Sequence, residues 1–138
     1  MAEVFAGFVM GYALAIVLAP IVAVALVRSN ERTALAQRIA PPGTNVIALS
    51  VVLHFFGVLT LTAMGLVLGM ALAGIEDRRP AGGLGSPNAA YTSLVLALAA
   101  VVVIPTLVLP SVRRYAVAAA VLFAGLFGWA MPWLATLG

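Results

Sequence analysis

Charge is confined to four short places in this sequence: Glu3, the stretch from Arg28 to Arg38, the stretch from Glu76 to Arg79, and the pair Arg113 and Arg114. The residues between them, 4–27, 46–75, 89–109 and 116–137, include no Asp, Glu, Lys or Arg. Each run exceeds the roughly 20 apolar residues with which an α-helix crosses about 30 Å of hydrocarbon at about 1.5 Å per residue. The pattern therefore predicts an all-α membrane protein, a single transmembrane domain over 1–138. Its four spanning helices would form an antiparallel up-down bundle, with loops at 28–45, 76–88 and 110–115. Only 8% of the residues are charged, against about 25% in an ordinary globular chain, so a water-facing surface cannot be assembled from this composition.

A transmembrane β-barrel is the other way to satisfy a backbone in lipid, but it would show segments of about 10 residues alternating apolar and polar. No such alternation is present. The first apolar run follows an acidic residue, Glu3, and is longer than the core of a secretory signal, so it is expected to stay in the mature protein. Cysteine is absent, which excludes disulfides and thiolate chemistry. The net charge of +3 is carried wholly by arginine. It is expected to orient the chain and meet anionic lipid headgroups rather than to bind nucleic acid.

Arg28, Arg32, Arg38, Arg113 and Arg114 fall in the first and third loops, whereas Arg78 and Arg79 alone fall in the second, beside Glu76 and Asp77. Cytoplasmic loops are enriched in Lys and Arg, so five against two places both termini outside the cytoplasm. A prokaryotic inner membrane suits that arrangement. Trp129 and Trp133 near the end of the fourth run, and Tyr91 near the start of the third, are then expected in the outer interfacial belt. In the first loop, Leu35 and Ile39 between Arg32 and Arg38 suit either a short helix on the headgroups, stopped by Pro41 and Pro42, or a continuation of the first span. The Gly- and Pro-rich second loop is expected to be irregular, and the short third loop to make a tight hairpin. A shift of 85 residues lays Pro20 on Pro105 and Arg28 on Arg113, a faint sign of two related helix pairs.

The strongest local pattern is a small residue at every fourth position. Gly7, Gly11, Ala15, Ala19 and Ala23 form one such stripe, Gly65, Gly69 and Ala73 a second, and Ala116, Ala120, Ala124 and Gly128 a third. Residues four apart share a helix face, and a face without side chains lets another backbone approach, which is the source of packing energy in lipid. All three stripes are expected to be helix-docking surfaces. They would act within the bundle, toward another subunit, or toward a second copy.

His54 is the one strongly polar ionisable side chain within a span. At about 100° per residue it shares a face with Ser50, Leu61, Gly65 and Gly69, which turns it toward protein. Three roles compete: a neutral histidine hydrogen-bonded to a neighbour, the axial ligand of a haem or chlorophyll-type pigment with Gly57 leaving room for the ring, or a proton-relay contact. No second ligand of metal-site type stands near it, so no metal site is expected. Pro20, Pro105 and Pro132 inside the runs are expected to free carbonyls and kink helices.

No embedded carboxylate, phosphate-binding loop or triad is present, which argues against ion exchange, phosphoryl chemistry and hydrolysis. The expectation is a non-catalytic accessory or scaffold subunit of a larger membrane complex, for instance an energy-transducing one, working by Gly/Ala-face packing. Two alternatives are a small self-associating transporter or channel and a tetrapyrrole-binding subunit with His54 as ligand. Scattered hydroxyls rather than one polar stripe weigh against a pore.

Overall fold

A computed structural model gives the architecture and describes residues 1–29, 41, 43–75, 87–108, 113 and 116–136. The expectations for the surface helix at Leu35 and Ile39, for most of the Gly- and Pro-rich loop, and for the turn between the third and fourth runs lie outside the described residues.

The described elements are all helical. Helix α1 covers Ala2–Ser29, α2 Val46–Ala73, α3 Ala89–Val108 and α4 Ala116–Gly125, continued by a π-helical turn at Leu126–Ala130 and by α5 at Met131–Thr136. Three stretches are long and apolar enough to cross a membrane: Ala2–Ile21, Ile47–Ala73 and the continuous rod Ala116–Thr136. In α3 the apolar stretch Ala89–Ile104 is shorter.

Helix starts are set by asparagine. The Asn45 side chain accepts hydrogen bonds from the backbone N–H groups of Ile47 at 3.0 Å and Ala48 at 3.2 Å. Asn88 does the same for the Tyr91 N–H at 2.7 Å, and its carbonyl takes the Thr92 hydroxyl at 3.0 Å. A short side-chain oxygen at this position satisfies donors that have no partner within the helix. Just before α2 the Thr44 N–H donates to the Pro41 carbonyl at 3.0 Å, and Gly43 sits at φ 93° in the third position of that turn. A type II turn demands positive φ there, which glycine adopts without a Cβ penalty.

Helices α1 and α2 run antiparallel, since Glu3 and Val4 meet Gly69, Gly7 meets Gly65, and Ala19 meets Gly57. Helices α3 and α4 are antiparallel as well. Tyr91 at the start of α3 reaches Phe127 beyond the end of α4, while Val102 and Ala119 line one common cleft. A single apolar core joins these pairs through Leu14, Leu61, Leu68, Val95, Phe123 and Phe127. Proline does not break α1, which continues through Pro20.

One sequence expectation changes here. Tyr91 is 2% exposed and faces the core rather than the interfacial belt. Trp129 and Trp133 do lie exposed, stacked on each other with ring centroids 6.3 Å apart. The expected small-residue stripe of the fourth run is partly buried: Ala116 and Gly128 are buried and Ala120 and Ala124 half-buried, while Ala119 and Phe123 of α4 and Phe127 of the π-helical turn are buried beside them. Phe123 and Phe127 share one buried cluster with Tyr91, Val95 and Ala99 of α3, where large rings fill the interior.

Candidate functional site

The first two small-residue stripes are used on each other. A Cβ built at Gly11 would lie 2.7 Å from the Leu61 carbonyl oxygen and 3.1 Å from the Gly65 Cα. One built at Gly69 would lie 2.6 Å from the Glu3 carbonyl oxygen, and one at Gly65 would run into the Gly7 carbonyl and come within 2.8 Å of the Gly11 Cα. Every obstacle is backbone, so no side-chain rotation can relieve it. Ala15, Ala19 and Ala23 continue the buried line along α1, while Ala73 at the far end of α2 is half-buried. This is the close approach that drives helix association in lipid, where dispersion and weak polar contacts replace the hydrophobic effect.

His54 lies on the same helix, half-buried, and its Nδ1 is buried without a hydrogen bond among the described residues. The Ser50 hydroxyl is not its partner, since it donates to the Ile47 carbonyl at 2.8 Å. Thr62 Oγ1 is likewise buried without a partner among the described residues. Such groups cost about 1 to 3 kcal/mol each relative to a satisfied state. Gly57 provides no room for a flat ring on its α1 side, because a Cβ there would already meet the Ala19 Cβ at 3.0 Å. Among the described residues no group of three or more His, Cys, Asp and Glu comes together.

A cleft of about 310 Å³ opens between the α1–α2 pair and the α3–α4 pair, lined by Leu18, Leu53, Phe56, Gly57, Val102 and Ala119 among others. Its one polar lining group, the Thr60 hydroxyl, is engaged with the Phe56 carbonyl at 2.8 Å. The walls therefore present hydrocarbon and no free donor.

At the opposite end of α4, sequence reasoning missed a buried polar link. The Met131 N–H bonds to the Leu126 carbonyl, five residues back, so it is not available to the Phe127 carbonyl one turn earlier. In the five-residue register the next donor for Phe127 would be residue 132, and Pro132 has no N–H. The Tyr91 hydroxyl fills the gap, donating to the Phe127 carbonyl at 2.9 Å in the protein interior. Both Pro132 and Tyr91 are conspicuous in the sequence, but nothing local joins them.

Of the arginines expected to orient the chain, Arg28 stands in the last turn of α1 and Arg113 is exposed. Arg32, Arg38 and Arg114 lie outside the described residues. No family model matches this chain, and no curated protein or solved structure matches it either.

Proposed function

We propose that this chain is a non-catalytic accessory or scaffold subunit of a larger integral membrane complex, crossing the membrane four times with both termini outside the cytoplasm. On this reading α3 makes the fourth crossing, carried by its pairing with α4, and the helices form an up-down bundle. The observation that carries the proposal is the surface of α2. Only 17% of its most apolar stretch is buried within the chain, although its glycine face is pressed against α1. Val51, Val52, Phe55, Phe56 and Leu59 all point outward on the half of the helix that bears His54.

Lipid can cover such a face, and so can a neighbouring transmembrane helix. His54 favours the second cover, because the accessible part of its half-buried ring is polar surface that hydrocarbon solvates poorly and that a neighbouring helix can contact. The glycine hairpin then serves as a stiff, thin mount for that outward face.

Purification of the natural protein from its own membrane in mild detergent tests this. Distinct membrane subunits in fixed ratio are the expected result, and a homogeneous self-assembly that conducts solute in liposomes would overturn it. Replacing His54 by leucine sharpens the test. Removing a buried unpaired group should leave the stability of the isolated chain unchanged or raised by up to about 1 kcal/mol, while co-purification of the neighbours falls. A colourless preparation is expected, and a Soret or chlorin absorption band abolished by His54→Ala would instead support a pigment role.

A further inference from the structure

We propose that the cleft between the two helix pairs holds one acyl chain of an anionic glycerophospholipid whose headgroup lies at the arginine-bearing end of the molecule. This rests on the chain being embedded in lipid and is independent of any partner subunit.

Position along the helices comes first. Leu18 and Ala19 lie in the second half of α1, Leu53 and Gly57 in the first half of α2, Val102 toward the end of α3, and Ala119 near the start of α4. All are on the side where α1 ends with Arg28 and where Arg113 precedes α4. From Leu53 to Met64 the lining of α2 covers roughly 16 Å of helix. That is about half of the ~30 Å hydrocarbon thickness, and it runs from about 10 Å inside the start of α2 to beyond that helix's middle, so an acyl chain entering from the arginine-bearing end reaches its nearer part.

Chemistry selects the occupant. With Thr60 engaged, the walls accept hydrocarbon and offer nothing to a polar solute. The mouth is flanked by Phe56 and Val101, 58% and 49% exposed, so the cleft opens sideways to the acyl chains around it. At that end the described residues include two arginines, Arg28 in the last turn of α1 and the exposed Arg113 before α4. A net positive rim above an apolar slot complements a phosphodiester carrying a hydrocarbon tail. A zwitterionic headgroup places its own cation among those arginines and gains less.

Native mass spectrometry of the full chain, delipidated in detergent and offered equal phosphatidylglycerol and phosphatidylcholine, tests the proposal. One phosphatidylglycerol per chain is expected to be retained, with a preference of roughly tenfold or more, the yield expected of even one or two arginines near a headgroup. Arg28→Gln with Arg113→Gln should cut the preference several-fold. Ala119→Phe, which fills the slot, should abolish retention. Thr60→Phe fills it from an exposed position and serves if Ala119→Phe does not fold. Equal retention of the two lipids by the unaltered chain would overturn the proposal. So would undiminished retention in a folded slot-filled variant, or a second copy of the chain seated there without lipid.

Discussion

Replacing Gly65 by alanine is expected to lower the stability of the protein by about 1 to 3 kcal/mol, the usual consequence of forcing extra atoms into a closed contact. The new methyl would meet the Gly7 carbonyl and the Gly11 Cα, the latter at 2.8 Å. Both belong to the backbone of α1, so relief requires the two helices to separate along much of their length. Separation forfeits dispersion contacts at every glycine and alanine down the seam, and in lipid no gain from hydrophobic burial compensates. Gly125→Ala is the matched control. That residue has helical backbone angles and nothing within 4 Å of a built Cβ. There the substitution should stabilise by up to about 1 kcal/mol, because alanine is the better helix former. Unfolding in mixed micelles, followed by helicity, reads both signs. A Gly65→Ala protein as stable as Gly125→Ala would mean that α1 and α2 do not touch through their backbones.

Tyr91→Phe is expected to cost about 2 kcal/mol, since it strands the Phe127 carbonyl in a water-free interior. The size of the effect depends on Pro132. In most helices a carbonyl that loses a side-chain donor still keeps its backbone partner. Here the Met131 N–H is committed to Leu126, and position 132 has no proton to give. The account is therefore tested by a double-mutant cycle. Pro132→Ala supplies an N–H that can take up Phe127, so Tyr91→Phe in that background should cost at least about 1 kcal/mol less than it does alone. Strict additivity would show that the tyrosine does not serve that carbonyl. Trp129 within the turn and Trp133 just beyond it are exposed and stacked, so their fluorescence reports whether the π-helical turn reverts to α.

The helical character of the chain and its three long membrane-capable helices were legible in the sequence because they follow from composition along a line. A charge-free run of sufficient length in lipid must bond its own backbone, and a helix is the local way of doing so. Small residues at every fourth position are also a one-dimensional signal, and they mark a face that another backbone can approach. Asn45 and Asn88, standing where two helices begin, were equally readable as caps by residue type and position, although the apolar runs alone did not call attention to them.

Which faces meet was settled only in three dimensions. Periodicity marks Gly7, Gly11, Gly65 and Gly69 as contact positions, yet whether they grip one another or some other chain depends on the register of α1 against α2, which no local preference encodes. The same holds for Tyr91. An aromatic ring with a hydroxyl suits a membrane interface and a buried hydrogen bond equally well, and only the proximity of a carbonyl orphaned by Pro132 decides between them. The cleft between the helix pairs belongs to neither pair alone, because a void is a property of surfaces brought together from distant parts of the chain. Length, charge and spacing along the sequence thus determined the elements and the medium in which they fold. Tertiary packing decided the pairing of faces, since a backbone contact or an unpaired carbonyl takes its energy from atoms far away in sequence.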